Sequence, residues 1–272
     1  MESTSLAPRR QFNPADPRFQ GEHVYYERAP FSTPAIGDPE VGDAAEYLAE
    51  YLSISREDMD AFALESHRRA SITKEQDVFN DIITPIQTAG KLIDSDECIR
   101  NRMSLKLLER MQPVFKAEGK ITAGNTCLKH DGAAIILLAS SNAVKKYNLK
   151  PQAMITGTAS CGCDPNLFPL GPVDSIQKLL RQNKLQVKDI DALEMNEAFA
   201  VKILACCRQL NFSLDKTNIL GGALAYGHPY GASGAIILLH LLKALQQVNG
   251  QRGIAAIGAV GGMGIATLIE RC

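Results

Sequence analysis

The chain has 272 residues, of which 45% are hydrophobic and 22% are charged, and its formal net charge at pH 7 is −1. A chain of this length and composition is globular and buries a large core, so we expect one large domain or two smaller ones. The near-zero net charge argues against binding to nucleic acid or to an anionic membrane. The expected partner is a small molecule or another protein.

The longest uninterrupted apolar run, residues 133–139, is much too short to span a bilayer, and the first residues lack the apolar stretch of a signal peptide. These features predict a cytoplasmic protein that does not associate with membranes. The seven cysteines are an odd number in a chain that needs no disulfide staples, which favours reduced thiols. Because they lack the spaced Cys and His pairs of a zinc site, we expect no metal.

The first forty residues contain six of the 13 prolines and no sustained apolar period, which predicts an extended loop or a segment that lies across a partner. A helix is predicted over residues 43–52, and Ser55 with Asp58 three residues later predicts the capped start of another. The apolar face of this second helix contains Met59, Phe62, Ala63, Ser66 and Ala70. Arg68 and Arg69 are expected on its solvated face. The region therefore predicts a helical or mixed insert.

From about residue 132, short apolar runs alternate with helical patterns, which indicates α/β layers around a largely buried sheet. Strands are predicted over residues 133–140, 154–160, 190–195, 253–260 and 264–269, and helices over residues 142–147, 173–182, 198–210 and 232–247.

The segment GGALAYGHPYGASG, residues 221–234, places His228 among glycines just ahead of an apolar helix. Glycine lets a ligand approach the backbone, and the free N–H groups at a helix start bind anions and carbonyl oxygens. A titratable side chain in such a loop suits general base catalysis. A Gly-rich turn also serves close packing, and a lone histidine is often structural, so this segment alone leaves both interpretations open.

Four separated segments resemble the thiolase family in their order and spacing. They are KITAGNTCLKHDGAAIILLAS (residues 120–140), MNEAFAVKILA (195–205), GGALAYGHPYGASGA (221–235) and GAVGGMGIATLIER (258–271). The resemblance extends over essentially the whole chain and implies a layered α/β/α/β/α fold of two similar halves with an inserted helical loop domain. By this resemblance, residues 1–119 are the loop domain with its Pro-rich N-terminal segment, residues 120–150 a remnant of an incomplete N-terminal half, and residues 151–272 the C-terminal half.

Thiolases transfer acyl groups between 3-ketoacyl-CoA or acyl-CoA and CoA through a nucleophilic cysteine. The resemblance therefore implies an acyltransferase that uses coenzyme A as a substrate and needs no cofactor. It also implies that His228 is the catalytic base, that Asn196 positions a water in an oxyanion hole, and that the backbone N–H of Val260 belongs to a second oxyanion hole. The residues expected to contact CoA are Arg100, Cys127, Ala198 and Phe199.

Two of these residues have simpler explanations in the sequence itself. Asn196 follows a predicted strand and precedes a predicted helix, so a helix cap accounts for it equally well. Arg100 suits a phosphate or an adenine ring, but a solvated loop arginine has the same sequence signature.

The chain also departs from the thiolase pattern. MESTS resembles a segment that in thiolases follows the nucleophilic cysteine, and none of the seven cysteines lies in a Cys-Gly-Ser-Gly-like context. Gly258 occupies the position of the second catalytic cysteine, and glycine cannot exchange a proton through a side chain. We therefore expect a chain whose nucleophile half is missing and which is inactive alone.

Three interpretations remain open. The first is an acyltransferase whose nucleophile half lies on a separate polypeptide or was lost by truncation. The second is a noncatalytic subunit that binds acyl-CoA or partners an intact thiolase, and the third is a thioesterase in which His228 activates water. The expected assembly is a homo-oligomer or a complex with a chain supplying the missing half, because unpaired sheet edges and an apolar face would otherwise be exposed.

Overall fold

The computed structural model describes residues 9–10, 25–26, 30–33 and 35–272, so most of the segment predicted as an extended loop lies outside the described residues. The helices in these ranges are α1 (Val41–Tyr51), α2 (Arg56–Glu75), α3 (Leu105–Leu108), α4 (Ser141–Tyr147), α5 (Gly171–Gln182), α6 (Ala200–Leu210), α7 (Ala223–Tyr226) and α8 (Ser233–Gln247). The strands are β1 (Arg9–Arg10), β2 (Tyr25–Tyr26), β3 (Ile86–Thr88), β4 (Lys91–Ile93), β5 (Ala153–Gly162), β6 (Ala192–Met195), β7 (Arg252–Ala259) and β8 (Met263–Arg271). None of the described helices is long and apolar enough to cross a membrane.

A four-stranded sheet with the order β5-β8-β7-β6 lies at the centre of the described structure. Strand β6 runs parallel to β7, whereas β8 is antiparallel to both of its neighbours. The other strands form two separate pairs, β1 with β2 and β3 with β4. Because the carboxyl ends of adjacent parallel strands meet at one end of a sheet, Asn196 after β6 and Val260 after β7 leave the sheet at the same end.

Helices cover both faces of this sheet. Successive side chains of a strand point to opposite faces, and β7 follows this alternation. Ile254 and Ala256 join the core cluster formed with α1, α2, α5 and α6, whereas Ala255 joins the cluster formed with α8. The predicted α/β layering is thereby confirmed.

Most of the elements predicted from local patterns are confirmed. The helices predicted over residues 43–52, 142–147, 173–182, 198–210 and 232–247 correspond to α1, α4, α5, α6 and α8, and the strands predicted over residues 154–160, 190–195, 253–260 and 264–269 correspond to β5, β6, β7 and β8. The cap of α2 is also confirmed, since Ser55 Oγ accepts a hydrogen bond from the Asp58 N–H at 3.0 Å.

The solvated position predicted for Arg69 is wrong, although its neighbour Arg68 is exposed as predicted. The Arg69 side chain is only 13% exposed. Its guanidinium donates to the carbonyl oxygens of Leu214, Thr217 and Asn218. These carbonyls lie 145 to 149 residues further along the chain, so the periodicity of α2 cannot predict the contact.

The strand predicted over residues 133–140 is also wrong. This segment has no regular secondary structure, and Ile135, Leu137 and Leu138 are 92%, 80% and 71% exposed. A strand requires a neighbour that supplies its hydrogen bonds, and no described strand pairs with this segment. The apolar pattern is typical of a buried strand, but the described residues do not bury it.

The start of α5 packs against β8 at a point where both segments have a glycine, Gly171 in α5 and Gly264 in β8. A Cβ atom added to Gly264 would collide with the carbonyl oxygen of Gly171, and one added to Gly171 would collide with the carbonyl oxygen of Met263. The turn just before β8 also requires glycine, because Gly261 and Gly262 have φ values of +81° and +78°. Helix α5 and the β7–β8 connection therefore depend on close backbone contact.

Replacing Gly264 with alanine tests this contact. We expect the Gly264→Ala variant to lose about 3 kcal/mol of unfolding free energy, because the added methyl group meets backbone atoms that cannot rotate away. The control is Gly231→Ala, since a Cβ atom there has no neighbour within 4 Å. Urea denaturation of both variants measures the difference, and equal stability of the two would contradict the described packing.

Candidate active site

Residues 125–127 run alongside residues 196–199, the segment that leads into α6. Thr126 pairs with Phe199 in an antiparallel bridge. The backbone N–H of Cys127 donates to the carbonyl oxygen of Ala198 at 3.1 Å. Three of the residues assigned to CoA contact by resemblance, Cys127, Ala198 and Phe199, are therefore neighbours.

The same extended segment continues to the loop that carries His228. Lys129 pairs with His228 in a parallel bridge, and the His228 N–H donates to the carbonyl oxygen of Leu128 at 2.9 Å. The segment from Thr126 to Lys129 thus joins the entry to α6 with the Gly-rich loop. Two motifs that are separated by about thirty residues in the sequence meet along it, at positions 199 and 228.

The His228 ring is fixed at one nitrogen. Its Nδ1 lies 2.6 Å from Ser233 Oγ at the start of α8, and its ring centroid lies 5.1 Å from that of Tyr230. Burial, and secondarily the positive charge of Lys202, lowers the pKa of His228 to about 4. The imidazole is therefore neutral at physiological pH, and when Nδ1 donates to Ser233 its Nε2 carries the lone pair that a general base needs.

Asn196 follows β6 directly and is 3% exposed. Its Oδ1 accepts a hydrogen bond from Lys202 Nζ. The alternative interpretation of Asn196 as a helix cap is wrong, because the N-cap of α6 is Phe199 and no side chain caps that helix start. The amide is thus held by a buried ammonium group, and it is not used for local helix capping.

The carboxyl group of Glu197, next to Asn196, is buried and accepts three hydrogen bonds. Ser66 Oγ donates at 2.6 Å, Asn218 Nδ2 at 2.8 Å and the Leu224 N–H at 3.1 Å. Burial raises the pKa of Glu197, and these three hydrogen bonds oppose the rise. One side chain thereby connects α2, the loop before α7, the start of α7 and the segment that carries Asn196.

Asn218 extends this network to the end of β6. Its Oδ1 accepts from the Met195 N–H at 2.8 Å, and its Nδ2 donates to the Met195 carbonyl oxygen at 2.9 Å. The backbone of Asn218 has a φ of +47°, a conformation that asparagine tolerates better than most residues. Sequence reasoning missed both Glu197 and Asn218, because their roles depend on partners far away in the chain.

Lys202 is a further site residue that sequence reasoning missed. It lies in α6 and is 1% exposed, which places an ammonium group inside the core. Burial lowers the pKa of Lys202 to about 8. The signal in the sequence was a single charge inside the apolar run AVKILACC, where buried lysine is rare.

Val260 lies in the connection between β7 and β8, beyond the end of β7. Within the described ranges, no backbone carbonyl accepts from its N–H. Gly258, two residues earlier, has little room for a side chain, because an added Cβ atom would lie 3.0 Å from both the Phe168 carbonyl oxygen and Pro172 Cδ.

Arg100 lies at the surface, and only its backbone has a bond to the rest of the site region. Its N–H donates to His67 Nδ1 at 3.1 Å. His67 lies on α2 next to Ser66, and burial lowers the pKa of its imidazole to about 4. The described contacts join neither Arg100 nor Val260 to His228 or Asn196, so their roles in CoA binding and oxyanion binding remain predictions.

Most of the cysteine thiols are poor nucleophiles at neutral pH. Burial raises the pKa of Cys127 and Cys206 to about 12 and that of Cys163 and Cys207 to about 11, and it also raises the pKa of Cys98. Attack on a carbonyl requires the thiolate. Burial therefore disfavours the thiolate form of these five cysteines.

One cavity of the described structure is lined by neither His228 nor Asn196. It measures about 840 Å³ and is lined by α2 and the C-terminal part of α6, with Phe62, Arg69 and Arg208 in its walls. In the described part of the chain, no three His, Cys, Asp or Glu residues come together as metal ligands would.

Comparisons with known proteins agree with the resemblance seen in the sequence. The profile of the thiolase N-terminal domain matches residues 2–142, and that of the thiolase C-terminal domain matches residues 149–271. A Staphylococcus haemolyticus protein named as an acetyl-CoA C-acetyltransferase, VraB, is 38% identical over 271 residues, which are 100% of this chain and 70% of that protein. Human mitochondrial 3-ketoacyl-CoA thiolase is 41% identical over 83% of this chain and 58% of its own length.

Solved structures show the same fold. The acetyl-CoA acetyltransferase of Bacillus anthracis has a TM-score of 0.84 and 35% identity, covering 89% of this chain and 62% of its own. Human mitochondrial 3-ketoacyl-CoA thiolase in complex with CoA has a TM-score of 0.81 and 36% identity, covering 89% of this chain and 61% of its own. The chain thus spans about three fifths of the length of these solved relatives.

Substitution of Glu197 tests the network that holds the site. We expect Glu197→Ala to lose about 4 kcal/mol of unfolding free energy, because three buried donors lose their acceptor. Glu197→Gln keeps one acceptor oxygen, so its loss is expected to be about 1 to 2 kcal/mol. Chemical denaturation, with the exposed Glu118→Ala as control, measures both effects. Wild-type stability of Glu197→Ala would show that the network is not required.

Proposed function

Because the chain belongs to the thiolase family, we propose that it takes part in acyl transfer between CoA thioesters, with acyl-CoA, 3-ketoacyl-CoA and coenzyme A as substrates and no resident cofactor. The observation that carries this proposal is the arrangement around residues 126–129. That segment brings the His228 loop against the segment of Asn196 to Phe199. By the resemblance, these positions correspond to the base, the oxyanion donor and the pantetheine wall of a thiolase.

His228 supplies the base in this proposal. Its neutral imidazole accepts the proton of a thiol, either that of a nucleophilic cysteine or that of incoming CoA, while Ser233 holds the ring by Nδ1. The resulting thiolate attacks the substrate carbonyl, and the carbonyl oxygen takes the negative charge. When a cysteine attacks a 3-ketoacyl-CoA, collapse of this intermediate breaks the bond between the α- and β-carbons, releases the enolate of the shorter acyl-CoA, which takes up a proton from the imidazolium or from water, and leaves the acyl group on the cysteine sulfur. When CoA attacks that acyl-cysteine, collapse breaks the carbon–sulfur bond to the cysteine and releases its thiolate, which takes the proton back from the imidazolium.

Asn196 and Val260 supply the oxyanion donors. Asn196 Oδ1 is occupied by Lys202, which leaves Nδ2 to donate to a water or an oxygen of the substrate. The Val260 N–H, at the same end of the sheet as Asn196, is proposed as the second donor. Preorganised donors of this kind lower the barrier because they need no rearrangement when the charge develops.

We propose that the nucleophilic cysteine comes from outside these 272 residues. The raised pKa values of five buried or partly buried thiols support this, since burial makes each of them harder to ionise than a free cysteine. Gly258 supports it too, because the position that resembles the second catalytic cysteine has no side chain and little room for one. The same observations favour one alternative, a noncatalytic subunit that binds acyl-CoA beside an intact thiolase.

CoA would lie along Cys127, Ala198 and Phe199, with its pantetheine arm directed at His228. Arg100 is proposed to contact the nucleotide, since an exposed guanidinium binds phosphate by paired hydrogen bonds.

An enzyme assay tests the proposed function. We expect the purified chain to show no CoA-dependent loss of acetoacetyl-CoA and no acyl adduct by intact mass spectrometry. Addition of a fragment of a relative that carries a Cys-Gly-Ser-Gly-like segment is expected to restore turnover, and His228→Asn in that mixture to reduce the rate about 100-fold or more. Turnover by the chain alone, with one of its seven cysteines acylated, would contradict the proposal. Binding of acetyl-CoA without turnover in the mixture would favour the noncatalytic alternative.

We also propose that the apolar segment with Ile135, Leu137 and Leu138 is an interface. These three exposed side chains lie within four residues of one another, and exposed apolar patches mark association surfaces. In the absence of another chain, we expect it to mediate self-association.

Sedimentation velocity tests this interface. We expect the wild-type chain to sediment as a dimer or larger species at micromolar concentration, and the Ile135→Lys, Leu137→Lys variant to sediment as a monomer, because charges in the run oppose burial. The control is Val248→Lys, at an isolated exposed apolar residue after α8. A monomeric wild-type chain at tens of micromolar would overturn the assignment.

A further inference from the structure

Lys202 carries a charge that the fold leaves largely uncompensated. Its side chain is among the largest fully buried side chains of the described structure. An ammonium group has three N–H donors, and the acceptor in contact with it is Asn196 Oδ1. Within the described residues, no carboxylate forms an ion pair with it. Buried charges are normally paired, so this lysine requires an explanation.

The groups that surround Lys202 are mostly neutral. Cys206 lies one helical turn further along α6, and Cys127 approaches from the extended segment; burial raises the pKa of both thiols. Glu197 also acts on Lys202 through space, but its oxygens already accept from Ser66, Asn218 and Leu224. Lys202 itself has a pKa of about 8, so it remains mostly charged at pH 7.

Two site residues respond to this charge. Asn196 offers its oxygen to the ammonium group, and no described protein atom accepts from its Nδ2. The orientation of the amide is thereby fixed, because a rotated amide would place its NH₂ group against the ammonium donors. His228 lies within electrostatic reach of Lys202, which contributes to its lowered pKa. One buried lysine therefore acts on the two residues assigned to chemistry.

We propose that Lys202 is a positioning residue of this site, which holds the Asn196 amide with Nδ2 toward an oxygen of an acyl thioester and places a positive charge within electrostatic reach of the His228 ring. The identity of the ligand rests on the proposed function, but the effect on His228 does not. A purely structural lysine would be interchangeable with a well-packed apolar side chain, and replacing buried charges in that way is often neutral or stabilising. A positioning lysine, in contrast, changes the properties of Asn196 and His228 when it is replaced, even if the stability of the fold does not change.

NMR titration of ¹³C-labelled histidines tests the effect on His228 in the full chain. We expect the pKa of His228, assigned with His228→Asn, to rise in Lys202→Gln and in Lys202→Met, because the repelling charge is gone. His240 is the internal control, since burial alone lowers its pKa to about 4, and Lys188→Gln, at an exposed lysine, is the control variant. The unfolding temperature of Lys202→Met is expected to stay near that of the wild type, because removal of a buried charge offsets the loss of the hydrogen bond to Asn196 Oδ1.

An unchanged His228 titration in a folded Lys202 variant would overturn the proposal. Loss of cooperative unfolding in both Lys202→Gln and Lys202→Met would also overturn it, because Lys202 would then be required for the fold itself.

Calorimetric binding of acetyl-CoA and of CoA tests the effect on Asn196. We expect Lys202→Gln to weaken acetyl-CoA binding about tenfold, the equivalent of one lost hydrogen bond, and to leave CoA binding unchanged because CoA lacks the acyl oxygen. Equal weakening of both ligands would contradict the orienting role. If the wild-type chain bound neither ligand, the proposed function would fail, and the His228 titration would still decide the role of Lys202.

Discussion

The buried carboxyl group of Glu197 is the constraint on which the site region depends. Its three donors come from Ser66 on α2, from Asn218 before α7 and from the Leu224 N–H at the start of α7. A buried donor without an acceptor destabilises the fold, so the position of the Glu197 carboxyl group fixes the positions of these elements. Gly222 contributes to the same point, because a Cβ atom there would collide with the Glu197 carboxyl group.

The positions of the chemical groups follow from this constraint. Asn196 precedes Glu197 by one residue, and His228 follows the anchored Leu224 by four, so neither can shift without disturbing the network. The segment that pairs with Phe199 and His228 then sets the spacing between the two motifs. Burial of the whole region makes His228 neutral and leaves Lys202 as a charge beside Asn196, where a developing oxyanion would be stabilised.

The sequence predicted the elements whose burial pattern is local. Helix α5 and strands β5 to β8 were found because their apolar periodicity matches the faces that they bury, and Ser55 was found because its capping partner is three residues away. Residues 133–140 failed for the opposite reason, since an apolar run becomes a strand only when another strand pairs with it, and no described strand does so.

The residues of the candidate site also fall into those that the sequence predicted and those that it did not. His228, Asn196 and Cys127 were identified through motifs, and the structure brings their segments together. Glu197 and Asn218 were missed because they act through partners far away in the chain. Lys202 and Ser233 lie in the same motifs as their partners Asn196 and His228, but which side chains meet depends on the folded path of the turn between them. Arg69 shows the same limit: a guanidinium that appears solvated by periodicity instead binds three distant carbonyls.

A crystal structure of the chain with bound acetyl-CoA would test most directly whether Asn196 and His228 act on one thioester. The account predicts that the pantetheine arm lies along Cys127 and Phe199, that the thioester oxygen accepts from Asn196 Nδ2 or a water bound to it at about 3 Å, and that the thioester group lies beside the His228 ring. An acyl group bound elsewhere, for example in the cavity beside Phe62 and Arg69, would contradict the assignment of this site.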